Sequence, residues 1–133
     1  EEGVRKGAYI IRDCDDDPDL IFIATGSEVS LALETADLMF DRKIRVISMP
    51  CMEIFDKQPN EYKTKIIPER RCIKVSMEAG ITNGWEKYTG INGLNIAINH
   101  YGASAPGSEL ANKYGFTSTK VEQVIRLHIK SLL

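Results

Sequence analysis

The stretch Leu20-Ile21-Phe22-Ile23-Ala24-Thr25-Gly26-Ser27-Glu28-Val29-Ser30-Leu31-Ala32 restricts the possible folds more than any other part of the chain. Its first five residues form an unbroken apolar run, mostly β-branched or aromatic, and such a short run reads as a strand covered on both sides. Thr25-Gly26-Ser27 supplies a small turn. Beyond it Val29, Ala32, Leu33, Ala36, Met39 and Phe40 recur at the spacing of one helical face, while Ser30, Glu34, Asp37 and Asp41 point away. Ser27 stands where a helix cap accepts a backbone hydrogen bond, and Glu28 where the helix dipole favours a carboxylate. A doubly covered strand that runs straight into a helix needs a parallel neighbour, which commits the chain to an α/β architecture.

The remaining segments supply the neighbours. Ala8 to Arg12 reads as a first strand, followed by an acidic turn from Asp13 to Pro18, and the short connection predicts an antiparallel hairpin with Leu20–Ala24. Asp41-Arg42-Lys43 ends the first helix with cations suited to a helix C-terminus. Ile44 to Ser48 is the next strand, reached by a right-handed crossover and stopped at Met49-Pro50. Two short helices follow, Cys51 to Gln58 and Asn60 to Ile67, parted by Pro59 and closed by Pro68, with Ile54, Phe55, Tyr62, Ile66 and Ile67 inward. Cys72 to Met77 is a fourth strand, less apolar and so placed nearer an edge, and Glu78-Ala79-Gly80 is a turn. A short helical piece lies around Gly84 to Tyr88, and Asn95 to Ile98 is a fifth strand. A loop from His100 to Gly107, a helix from Ser108 to Tyr114 and a last helix capped within Thr117–Thr119 complete the chain; Val121, Val124, Ile125, His128 and Leu132 line one side of that last helix. The expectation is one three-layer α/β domain: a five-stranded, mainly parallel sheet with one antiparallel edge strand and helices on both faces.

With 133 residues, 43% of them hydrophobic, the chain can build one compact core and not two. A formal charge of −2 gives no broad basic field, which argues against nucleic acid or an anionic membrane as partner. No apolar run approaches the ~20 residues that cross a bilayer. Glu1-Glu2-Gly3 resembles neither an initiator methionine nor a secretion signal, so the chain reads as a piece of something longer. Three scattered cysteines, Cys14, Cys51 and Cys72, fit reduced thiols in a cytoplasmic protein better than a disulfide framework.

Chemistry-bearing motifs are scarce. There is no G-x-G-x-x-G after a strand, no phosphate-binding G-x-x-x-x-G-K-[ST], no H-E-x-x-H and no G-x-S-x-G. His100 has no catalytic companion at a recognisable spacing and reads as solvated or structural, and His128 as a core or interface histidine. Asp15-Asp16-Asp17 lacks the glycine and distal glutamate of a calcium loop and reads as a solvated turn. Two places remain. Thr25, Gly26 and Ser27 lie where a strand ends and a helix begins, a position whose free N–H groups can hold an anion, although a tight turn with a serine cap accounts for the same residues. Glu78, with Asn83 and Trp85 beyond it, marks either a subunit contact or a plain turn.

Several blocks together resemble the C-terminal domain of transketolases. They are Ala24-Thr25-Gly26-Ser27-Glu28-Val29, then Val46 to Pro50 leading to Phe55 and Gln58, then Val75 to Gly80 with Gly84 to Tyr88, then Tyr101 to Pro106 and Tyr114 to Thr117. Glu2 to Tyr9 looks like the linker leading into that domain, which places a linker remnant at 1–7 and the domain at 8–133. Cys51, a serine in many relatives, and Asn99-His100 depart from the pattern without touching a known catalytic role. The resemblance implies a parent enzyme that transfers two-carbon ketol units between sugar phosphates in the pentose phosphate pathway, as a cytoplasmic homodimer, with thiamine diphosphate and a divalent metal, magnesium or calcium. The family holds the diphosphate and metal through a G-D-G motif in another domain. That motif is missing here, so the implied role of this segment is assembly and packing with the remaining domains, with no catalytic, cofactor or metal residue of its own and the sugar phosphates bound elsewhere. Two alternatives stand beside it: a small-anion or nucleotide regulatory site at Thr25-Gly26-Ser27, and a partner-docking domain of the kind found in 2-oxo acid dehydrogenases.

Overall fold

The computed structural model describes residues 5–68, 72–79, 85–98 and 117–132. Five strands form one sheet: β1 (Tyr9–Arg12), β2 (Leu20–Ala24), β3 (Ile44–Ser48), β4 (Ile73–Ala79) and β5 (Leu94–Ile98), in the order β1-β3-β2-β4-β5. β2 is the middle strand, parallel to β3 on one side and to β4 on the other, and β4 is parallel to β5. Only β1 runs antiparallel. All five residues of β2 are buried. Leu20, Phe22 and Ala24 face one core while Ile21 and Ile23 face the other, which is why the run carries no polar alternation.

Helices cover both faces. α1 (Glu28–Leu38) and α5 (Ser118–Ser131) share a core with Phe22, Val46, Val75 and Met77. On the opposite face α2 (Met52–Asp56), α3 (Asn60–Ile66) and α4 (Glu86–Thr89) enclose Ile21, Ile23, Ile47, Phe55 and Trp85. The three layers, the parallel crossover and the single antiparallel edge strand agree with the sequence-based expectation.

The expected hairpin does not form. β1 pairs with β3, with Tyr9 opposite Ser48 and Ile10 opposite Ile47, and a bulge follows before Arg12. Both edges of β2 are already taken by parallel partners, so the first strand pairs instead at the far side of β3. The acidic connection bridges that gap: Asp19 and Lys43 exchange backbone and side-chain hydrogen bonds, Asp16 pairs with Lys43 at 2.6 Å, and Asp13 with Arg45 at 3.0 Å. The aspartates thus hold the loop over the start of β3.

Other boundaries and faces move for identifiable reasons. α1 stops at Leu38, before Asp41-Arg42-Lys43, and its last turn carries no cation. Met39 is buried, but Phe40 lies beyond the helix and is 88% exposed. Ile54 faces outward on α2, whose one buried residue is Phe55. β4 is an interior strand and continues through Glu78 and Ala79, which are therefore not a turn. Its buried Ser76 is accommodated by a partner on β5, donating to Asn95 Oδ1 at 2.7 Å. Thr117 caps α5 by accepting from the Lys120 N–H at 3.3 Å. The buried face of α5 is Val121, Ile125 and Ile129; Val124 and Leu132 are exposed. The expected helix at 108–114, and His100 with its loop, lie outside the described residues.

Candidate functional site

The carboxyl ends of β2 and β4 lie side by side, with Ala24 opposite Met77. This brings the Thr25-Gly26-Ser27 turn next to Glu78. The turn is closed by its own backbone, Glu28 N–H donating to Thr25 O at 3.0 Å and Val29 N–H to Gly26 O at 3.3 Å. Gly26 has φ +54°, a left-handed conformation that glycine adopts without cost. Ser27 is already helical, at φ −67° and ψ −17°, and makes no capping bond. A helical cap residue points its side chain away from the N–H groups it would have to reach. Its hydroxyl instead donates to Glu28 Oε2 at 3.1 Å.

Glu28, in the first turn of α1, is 8% exposed. Glu78 is half-buried, and its Oε1 has no hydrogen-bond partner among the described residues. Burial raises the Glu78 carboxyl above the ordinary glutamate value; the Trp85 side chain, hydrogen-bonded to it, opposes the shift, and the charge of Glu28 adds to it. Trp85 is 2% exposed. Its ring meets Tyr88 edge-on at 5.8 Å between centroids, and its carbonyl accepts from the N–H groups of Tyr88 and Thr89.

Of the expected contact residues, Trp85 has no surface left to offer a neighbouring subunit: it is a core residue that steadies Glu78. Asn83 lies outside the described residues. Thr25, Gly26 and Ser27 do stand together at the sheet edge, but two carboxylates stand beside them. That charge repels an anion and suits a hydrogen-bond donor or a cation from outside. His128 is remote from this edge, on α5, with its Nε2 2.8 Å from Asn92 O. Among the described residues no cluster of three or more His, Cys, Asp or Glu could hold a metal ion. Cys14, Cys51 and Cys72 form no disulfide.

The chemistry of this edge does not fit thiamine diphosphate. A diphosphate needs cations, a bound metal or a ring of N–H donors, and the groups converging here are a hydroxyl and two carboxyls. Ser27 has a carboxylate as its neighbour but no imidazole to take its proton, so the pair is not an activated nucleophile. The proximity of Glu28 to Glu78 was not anticipated from sequence. It follows from the parallel register of β2 and β4, which becomes visible only once β4 is known to be an interior strand.

Comparison with known proteins agrees with this fold. A family model described as the transketolase-like TK C-terminal domain matches residues 7–117. A transketolase of Aquifex aeolicus is 48% identical over 122 residues, 90% of this chain and 18% of that protein. A transketolase of Staphylococcus aureus is 46% identical over 130 residues, 96% of this chain and 20% of that protein. Among solved structures, the transketolase of Pichia stipitis in complex with sedoheptulose-7-phosphate superposes with a TM-score of 0.85 at 33% identity, covering 97% of this chain and 19% of that one. The chain thus spans about a fifth of the length of the curated relatives it matches. With the family model, the curated relatives and the sheet topology in agreement, the chain belongs to the transketolase-like C-terminal domain family.

Proposed function

We propose that this chain is the assembly domain of a thiamine-diphosphate-dependent transketolase and is not catalytic by itself. The observation that carries the reading is the coverage: nearly the whole of this chain aligns with only 18–20% of its relatives. The acidic, coenzyme-incompatible sheet edge supports it from the side of chemistry. In the parent, the coenzyme supplies an electron sink for the carbanion of ketol transfer, and the other domains hold it together with a divalent metal, magnesium or calcium, and the sugar phosphates. This chain contributes a rigid three-layer body whose outer surfaces pack against those domains and help fix a cytoplasmic homodimer. The Pichia relative, solved with sedoheptulose-7-phosphate, supports sugar phosphates as the substrate class of the parent. Among the described residues no helix is long and apolar enough to cross a membrane.

The test has two arms. The chain alone, supplied with thiamine diphosphate, magnesium, a ketose phosphate and an aldose phosphate, is expected to show no turnover above background. A parent transketolase lacking the segment is expected to shift from dimer toward monomer in sedimentation velocity. Turnover by the chain alone overturns the non-catalytic half of the proposal, and an unaltered dimer overturns the assembly half.

A further inference from the structure

On the face of the sheet covered by the short helices, a cavity of about 370 Å³ opens between α3, the start of β4 and α4. Lys63, Lys74 and Lys87 reach it from those three elements, and among the described residues Asp56 is the one carboxylate lining it. Asp56 is already engaged. It accepts hydrogen bonds from Lys87 Nζ and the Tyr88 hydroxyl, and its backbone carbonyl takes one from Lys63 Nζ at 3.2 Å. Burial pushes its carboxyl upward, but the bonds from Lys87 and Tyr88 prevail and hold it below the ordinary aspartate value, so it remains ionised. One negative charge is thereby committed to fixing the cavity wall, and among the described residues two of the three lysines have no carboxylate to balance them.

Lys74 is the key member. In the β2–β4 register it lies opposite Ile21, on the face of the sheet that carries the Ile23, Phe55 and Trp85 core. It is half-buried and makes no ion pair among the described residues. It thus presents a cation to the cavity without a counter-charge among the described residues, and an anion entering the cavity would supply one. The volume falls in the range of small-ligand sites, about 300–1,000 Å³, and it exceeds what a bare phosphate fills. Asn60 at the start of α3 offers an amide to a polar body attached to the anion.

We infer that this cleft binds the dianion of a small phosphate monoester, with Lys74 as the principal cation and Lys63 and Lys87 flanking it. Lysine serves such sites as a point charge, and a doubly charged phosphoryl group matches the uncompensated charge. The inference stands apart from the proposed function: it concerns the face opposite α1 and α5 and rests on no catalytic role.

The test is a titration of the isotope-labelled chain with glycerol 3-phosphate and, separately, with inorganic phosphate, at constant ionic strength, followed by amide shifts. Saturable shifts are expected around Asp56, Lys63, Lys74 and Lys87, with the monoester the tighter ligand. Lys74→Gln is expected to weaken binding by about tenfold or more, and Lys74→Arg to retain it. An unchanged circular dichroism melt for both variants separates lost binding from lost fold. Absence of saturation by about 10 mM, an equal response to sodium chloride, or undiminished binding by a folded Lys74→Gln variant overturns the site. Equal affinity for the two phosphates overturns the monoester assignment.

Discussion

Glu78 places one carboxylate oxygen, Oε1, in a buried position without a hydrogen-bond partner among the described residues, and the charge of Glu28 bears on it. A buried acceptor of this kind is usually satisfied or protonated. Burial raises its carboxyl above the ordinary value of 4.5, with the Trp85 hydrogen bond opposing and Glu28 reinforcing. In the pH window above that value the folded chain therefore keeps a proton the unfolded chain has released. Linkage then makes this group's contribution fall as pH rises from the unfolded value through the folded one. Glu78→Gln keeps the shape and the acceptor for Trp85 but cannot ionise. Urea unfolding midpoints of the two proteins are expected to lie close together near about pH 4 and to diverge in favour of the glutamine variant toward about pH 7. Parallel midpoint curves across that range would show that Glu78 ionises as freely as it does in water.

At the scale of single elements, α5 shows what sequence periodicity resolves and what it does not. Its existence, its cap at Thr117 and the inward position of Val121 and Ile125 were legible, because a capping threonine and a four-residue apolar step are local signals. Its phase past Ile125 was not: Val124, Leu132 and Ile129 are all apolar, and which of them is buried depends on the angle at which the helix lies on α1 and the sheet. Arg126 helps set that angle by gripping both oxygens of Asp41, at 2.7 and 3.1 Å, as well as Glu122 at 2.9 Å. β1 failed as a hairpin for a related reason, since nothing near Asp13–Asp19 in sequence reveals that both edges of β2 are occupied. The same holds for the sheet-edge site, where Thr25, Gly26 and Ser27 were legible as a turn but the neighbouring carboxylates were not. The phase of α5 can be checked directly. Ile129→Ala should cost about 2–3 kcal/mol of unfolding free energy, whereas Val124→Ala should stay within about 0.5 kcal/mol. Equal losses would place the helix in a different rotation.

The closure of the whole molecule depends on its first described residues. Lys6 lies over the Tyr62 ring at 4.5 Å, Gly7 O accepts from the Cys51 N–H at 3.1 Å, and the Tyr62 hydroxyl donates to Ala8 O at 2.7 Å. These contacts tie the N-terminal segment to α2 and α3 and deliver β1 to the exposed edge of β3, a pairing no local signal specifies. Gly7 passes close against the backbone at the start of α2. It has φ +88°, and a Cβ there would meet Phe55 N at 2.3 Å and Cys51 O at 2.4 Å, both backbone atoms that cannot swing aside. Gly26 is the natural control, because its φ is +54° but its Cβ would meet nothing within 4 Å. Gly26→Ala should therefore cost only the backbone strain, about 1 kcal/mol. Gly7→Ala adds a collision with α2 and should cost about 3 kcal/mol or more. Because that collision displaces the segment that carries β1, amide exchange should accelerate at Tyr9–Arg12 and along β3, and the uncovered β3 edge should promote self-association at high protein concentration. If Gly7→Ala melts like Gly26→Ala and leaves the protection of β1 intact, the N-terminal segment is not what closes the sheet.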